Sequence, residues 1–228
     1  MVSIEQVLQV LSTGDILHAA EMIEDGQPKE VAERYSELVK RLYEADRPLS
    51  AMTAAAYLAV HYCLQKGGVR GDGADLRDAA KRIAYNASAN LWPGWRDPGV
   101  EPAKSDIAAG RDLARLNLRL AEELERDDVV FGNAHWLLGA HHLALAERDE
   151  ARDQFDESAR RFEAGGKDAF VEMARGYRAI ALMADQGRRA EGQLQLDASV
   201  NALQQMPDDE DAAFFVQQLQ TAREFFAS

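Results

Sequence analysis

The chain has 228 residues, 46% of them hydrophobic and 29% charged, which is enough to bury a core in one or two ordinary domains. A formal net charge of -13 opposes binding to phosphate backbones and to anionic membrane surfaces, so nucleic acid and membrane partners are not expected and basic partners are favoured. The single cysteine, Cys63, excludes an internal disulfide and any CxxC redox or zinc motif.

The first residues, Met1-Val-Ser-Ile-Glu-Gln, carry a carboxylate at position 5 and no basic segment before an apolar run. A secretory leader is therefore not expected, and a cytoplasmic location is. No stretch alternates apolar and polar residues for long enough to make a strand, whereas Gly and Pro punctuate a series of helical patterns, so an all-α fold is predicted. The first helices are expected near 3–11, 15–24, 28–45, 48–65 and 74–91. The most apolar run, Ala54 to Leu64, contains His61 and falls well short of the roughly 20 residues a membrane span needs, so it reads as a buried helix. The run Gly67-Gly-Val-Arg-Gly-Asp-Gly73 follows no strand and precedes no Lys-Ser/Thr, so it is a turn and not a phosphate loop; Arg70-Gly71-Asp72 within it is a chance tripeptide.

Between 91 and 102 lies Leu91-Trp-Pro-Gly-Trp-Arg-Asp-Pro-Gly-Val-Glu-Pro102, with two of the three tryptophans and three of the six prolines. Long loops between packed helices are often functional, and Trp and Arg dominate interface energetics, so Trp92, Trp95 and Arg96 are candidate partner contacts. The plainer alternative is that the tryptophans pack against helix ends. A helix is expected near 105–125, where Asn117 sits among Leu113, Leu116, Leu120, Ala121 and Leu124 and needs a hydrogen-bond partner, such as a carbonyl of the 91–102 loop or a ligand. Further helices are expected near 129–146, 149–164, 168–186, 188–205 and 208–226, eleven in all. The first ten form five antiparallel pairs.

The helix around residue 139 has apolar side chains on every side (Trp136, Leu137, Leu138, Ala140, Leu143, Ala144, Leu145) and must be buried on more than one face. Its neighbour keeps a narrow stripe of Ala151, Phe155, Ala159 and Phe162. With Gly139 at the small position, Leu138 before it, and Ala151, Phe155 and Ser158 at second-helix spacing, this unit resembles a tetratricopeptide repeat. It departs from the pattern in that His135 stands where a Trp is usual and no proline ends the unit. The next unit resembles it with Gly176, Ala190 and Leu194. The resemblance covers residues 130–205, while residues 1–125 are assigned to the same single domain by continuation. The last helix would cap the solenoid, with Phe214, Phe215, Leu219, Ala222, Phe225 and Phe226 inward and Gln217, Gln220, Thr221 and Glu224 facing water.

The resemblance implies a concave groove lined by the first helix of each pair, here by Asn133, Trp136, Ala140, Leu143 and Ala144, then by Phe170, Met173, Tyr177, Ile180 and Ala181. Such a groove is apolar and aromatic. Family members that clamp a partner's terminal carboxylate present Lys and Asn in it, and Asn133 alone meets that pattern, so a carboxylate clamp is not expected. The expected function is a non-catalytic protein–protein interaction module that binds a peptide or protein partner in the groove, with no cofactor. One alternative is a small-molecule binder or enzyme with a pocket under the 91–102 loop, using Tyr57, His61 and Arg96; another is homo-oligomerisation through the groove or the last helix.

No paired-carboxylate, nucleophile-base or HExxH spacing supports catalysis. His135, His141 and His142 invite a metal reading, but His141 and His142 point about 100° apart around the helix, and His135 lies about 10 Å from His142. Interhelical hydrogen bonds are the expected role of these imidazoles. Asp208-Asp-Glu-Asp211 is expected to serve a first helical turn, where anions are favoured.

Overall fold

A computed structural model describes residues 3–44, 48–68 and 73–227. Among them there is no strand, and eleven α-helices follow one another: α1 (Ile4–Ser12), α2 (Ile16–Glu24), α3 (Pro28–Glu44), α4 (Leu49–Lys66), α5 (Gly73–Asn90), α6 (Lys104–Glu123), α7 (Asp128–Ala144), α8 (Arg148–Ala164), α9 (Asp168–Met183), α10 (Arg189–Gln204) and α11 (Ala212–Phe226). A 3₁₀ turn at Pro93–Trp95 interrupts the loop after α5. Arg70-Gly71-Asp72 lies outside the described residues. None of the helices is long and apolar enough to cross a membrane, among the described residues.

Consecutive helices pack against one another, α1 on α2 through α9 on α10, giving five antiparallel pairs and a terminal helix laid on α9 and α10. The odd-numbered helices also touch the next odd helix along the chain, from α1 to α11, whereas among the described residues α4 and α6 are the even pair that touches to a comparable extent. A row that keeps contact while its partners splay apart is the inner wall of a curved superhelix.

The α7–α8 pair shows how the sequence dictates close packing. Gly132 and Gly139, two turns apart on α7, leave room for Phe162 and Phe155 of α8; a Cβ on Gly139 would lie 2.9 Å from the Phe155 ring, and one on Gly132 would lie 2.6 Å from Phe162. Ser158 Oγ, between those two phenylalanines, donates to the Gly132 carbonyl at 2.8 Å. The chain reverses between the pair with Ala146 at φ 61°, and the Glu147 N–H reaches back to the His142 carbonyl at 2.9 Å.

Three expectations about elements are corrected. Gly176 does not serve the α9–α10 contact: it receives Leu219 of α11, while Gly192 of α10 nests against Met183 and Ala179, and Leu194 is 73% exposed. On α11 the inward face is Ala212, Phe215, Leu219, Ala222 and Phe226, and Phe214 and Phe225 are exposed, because the 3–4–3–4 spacing that faces the bundle leaves them one residue out of phase. The acidic run 208–211 forms the turn before α11, which begins only at Ala212, so its carboxylates are not in the helix's first turn.

The buried apolar residues fall into two clusters. One spans α1 to α5, joined by Leu113 and Leu120 of α6; the other spans α7 to α11 and takes in Trp92 and Ala114. They meet along α6, and a polar junction holds that seam. His141 of α7 is wholly buried there, its Nε2–H directed at the Ser88 carbonyl (3.0 Å) and lying 2.9 Å from Ser88 Oγ, which itself donates to the Gly110 carbonyl (2.7 Å). Because a carbonyl can only accept, the proton is assigned to Nε2, and His141 Nδ1 is left buried without a partner. Burial pulls the imidazole pKa down to about 4, against a smaller opposing effect of the Ser88 bond. Gly110 is required at this crossing, since a Cβ there would lie 2.2 Å from the His141 ring.

Candidate functional site

The inner wall is built differently at its two ends. Towards the C-terminus it is filled. The turn after α5 carries Trp92 onto α7, where its Nε1–H donates to the Ala140 carbonyl at 3.0 Å, and Trp95 folds beside it with Nε1–H on the Ala89 carbonyl at 2.8 Å. Gly94 lets the turn lie flat, since a Cβ would sit 2.2 Å from the Trp92 ring.

Trp92 then packs edge-on against Trp95, Trp136 and Tyr177, with ring centroids 4.8, 5.7 and 5.7 Å away, and stacks on Phe226 of α11 at 6.0 Å. Tyr177 continues the cluster to Trp136 and, stacked, to Phe155, each at 5.5 Å. Pairs at these separations each stabilise by roughly 0.5–1.5 kcal/mol beyond their buried area.

This placement corrects the expected binding surface. Trp92, Trp136, Ala140, Met173 and Tyr177 are interior residues, sealed by the 91–102 loop and α11, and offer no face to a partner in this conformation. Leu143, Ile180 and Ala181 are buried as well, and Phe170 and Ala144 are partly buried against the same cluster. Trp95 is half-buried. Arg96 is exposed, takes a left-handed backbone (φ 54°) and sits 3.8 Å from Glu224 of α11.

The pocket expected beneath the loop is occupied by these rings. Its expected polar contacts turn elsewhere: Tyr57 donates to the Ala109 carbonyl and His61 pairs with Gln65 one turn along α4. The seal is imperfectly paired, because Trp136 Nε1 and Tyr177 Oη are buried without hydrogen-bond partners, and burial raises the Tyr177 phenol well above its ordinary range.

Towards the N-terminus the wall is open. A cavity of about 650 Å³ runs between α3 and α5, with Ala32, Val39, Leu76, Ala79 and Ile83 as an apolar floor. Its rims are polar: Lys29, Glu33, Ser36, Glu37 and Lys40 on α3, and Asp75, Asp78, Arg82, Asn86 and Asn90 on α5. Arg82 and Asn86 are shared with a second cavity of about 300 Å³ between α5, α6 and α7, so the two adjoin. That second cavity is lined by Lys81, Tyr85, Asn117, Val130 and Asn133 besides the shared pair.

Asn133 is half-buried and its Nδ2 donates to the Val129 carbonyl at 2.9 Å. Asn117, 2% exposed, donates to the Lys81 carbonyl of α5 at 2.9 Å, not to the 91–102 loop as expected. The α5 backbone that packs against α6 supplies the acceptor in place of the loop. Sequence reasoning missed this polar groove. The signal that could have found it is the carboxamide pair Asn86 and Asn90, which continue the α5 face that carries Ala79 and Ile83 and turn it from apolar to polar.

The histidines of α7 are each engaged between helices. His135 lies 2.8 Å from Gln154 of α8, His141 serves the Ser88 junction, and His142 Nδ1 lies 2.6 Å from Glu147, whose other oxygen accepts from Arg111 of α6 at 2.8 Å. Burial opposes the Glu147 charge, but the His142 and Arg111 hydrogen bonds outweigh it and hold the carboxyl below its usual range. Among the described residues, no group of three or more His, Cys, Asp or Glu side chains is placed to hold a metal ion. Cys63 is buried, and burial raises its thiol to about 11, which keeps it in the unreactive protonated form. Against known proteins, no family model, no curated protein and no solved structure matches this chain.

Proposed function

We propose that this chain is a non-catalytic interaction module of tetratricopeptide type that takes a segment of a protein partner in the open, N-terminal part of its inner wall, and that it works in the cytoplasm. The observation that carries this reading is the cavity of about 650 Å³ between α3 and α5, an apolar floor between polar rims. A groove of that size suits an extended segment, with the floor taking apolar side chains and Asn86 and Asn90, each both donor and acceptor, meeting its peptide groups. The Gly139–Phe155 contact supports the repeat assignment.

The test is affinity capture from a source lysate with the native chain and with Ser36→Arg and Asn86→Arg, which narrow the groove from either rim. A protein retained by the native chain and lost by both variants, with melting temperatures unchanged, supports the reading; equal retention by the variants overturns it.

A second reading is favoured by one observation. Trp136 Nε1 and Tyr177 Oη are buried unpaired beneath the loop and α11, at a cost of roughly 1–3 kcal/mol each. In this reading α11 and the loop lift, and the partner contacts Asn133, Trp136, Ala140, Met173, Tyr177, Trp92, Trp95 and Arg96. A chain ending at residue 211 would then bind the partner more tightly than the full chain. Weaker or equal binding by a folded truncated chain removes this reading.

A further inference from the structure

The smaller cavity has a chemistry that the groove does not. In a chain of net charge -13, its lining of Lys81, Arg82, Tyr85, Asn86, Asn117, Val130 and Asn133 contains no carboxylate. The two carboxylates closest to its cations are already committed. Asp78 bridges Arg82 at 3.4 Å and Arg126 at 2.6 Å, and Asp127 accepts the Val130 N–H at 2.9 Å to cap α7. Lys81 makes no ion pair among the described residues although it is half-buried, and burial holds its ammonium below the usual lysine range despite Asp78 nearby.

The neutral groups around it can all donate: the Tyr85 hydroxyl and the carboxamide of Asn86 directly, Asn117 and Asn133 through the second N–H of amides whose first is held by a backbone carbonyl. Asn117 is almost completely buried, so its amide is fixed in place by α5 before any ligand arrives.

We propose that this cavity between α5, α6 and α7 binds a phosphoryl group, with Lys81 and Arg82 matching its charge and Tyr85, Asn86, Asn117 and Asn133 bonding its oxygens. Lys81, which has no ion pair among the described residues, and Arg82, which shares the single charge of Asp78 with Arg126, offer cationic donors to a group carrying about -1.5 to -2 charge and three acceptor oxygens. The group arrives either as a free phosphate ester or as a phosphorylated side chain. In the second case the rest of its chain enters the adjoining groove past Arg82 and Asn86, and this source alone rests on the groove reading above.

The experiment is a titration of the full chain, followed by the NMR signals of the Asn86, Asn117 and Asn133 side-chain amides, with inorganic phosphate, N-acetyl-phosphoserine amide, acetate and chloride at matched ionic strength. Phosphate and the blocked phosphoserine are expected to give saturable shifts that chloride and acetate do not, and Lys81→Gln with Arg82→Gln to weaken them about tenfold or more. Arg82→Gln alone, on an exposed position, serves if the double variant melts early. Tighter binding of the blocked phosphoserine than of inorganic phosphate assigns the source to a phosphorylated residue, and equal binding assigns it to a free ester. No saturable response to phosphate, an equal response to acetate or chloride, or an undiminished response in a folded variant overturns the proposal. Phosphate binding that survives the loss of partner capture removes the groove reading alone; partner capture without phosphate binding removes this one alone.

Discussion

The two ends of the inner wall are made from the same kind of helix row and come out opposite. Between α3 and α5 the wall keeps a polar-rimmed cavity, whereas between α7 and α9 the equivalent space is filled by Trp92, Trp95 and Phe226. The difference is not in helix spacing. It lies in what the chain supplies to cover the wall: the C-terminal half receives a tryptophan turn and a terminal helix, while towards the N-terminus the loop reaches α3 at its end, where Tyr43 donates to Asp97, and leaves the cavity between α3 and α5 open. A concave aromatic surface is thus a core in waiting if another part of the same chain can reach it, because burying it removes several hundred square ångströms of apolar area from water.

Substitutions should separate the two halves by their stability cost. The largest effect is expected at Trp92→Ala, which empties the centre of the aromatic cluster and frees the Ala140 carbonyl: about 3–5 kcal/mol lost, read from urea midpoints. A cost below 1 kcal/mol would mean that the loop does not seal the wall.

The seam between the halves is expected to be acid-sensitive. The His141 pKa is about 4 when folded and 6.5 when free, so the unfolded chain binds the extra proton between those values, and the contribution of His141 should be flat well above pH 6.5 and cost about 3 kcal/mol of stability on going down to pH 4. Denaturation at several pH values checks this, and His141→Gln should flatten that part of the profile.

Smaller effects follow at single contacts. Gly139→Ala should cost about 1–3 kcal/mol because its Cβ meets the Phe155 ring, although alanine is the better helix former; a stabilised variant would show that α7 and α8 can part without loss. Asn117→Leu should cost a similar amount by leaving the Lys81 carbonyl short of its partner, and a neutral or stabilising result in thermal melts would contradict the bond. At the open end, Asn86→Ala should change stability by less than about 0.5 kcal/mol while weakening whatever enters the groove.

The helices themselves were legible: eleven are expected and eleven are found among the described residues, with most ends within two residues, because Gly and Pro punctuate the chain and apolar periodicity is strong. The narrow stripe of α8 and the all-round burial of α7 were legible for the same reason. The start of α11 was not, since four consecutive acidic residues suit both a turn and a first helical turn, and local pattern does not choose between them. Nor was the role of Trp136 and Tyr177. A side chain that faces the inner wall looks the same in sequence whether the wall is open or covered, and the covering residues lie about 40 positions away on either side.

Legible from residues within a few turns or across one short loop, therefore, are the helix series, its pairing and the place of Gly139 as a small residue where two helices approach closely. Which part of the inner wall faces solvent, the bond of Asn117 to Lys81 and the closing of the seam between two cores by His141 emerge from the folded arrangement alone. Those outcomes depend on how far the loop after α5 reaches and on where α11 comes to rest. Both are set by the competition of distant apolar surfaces for the same space, which no local periodicity encodes.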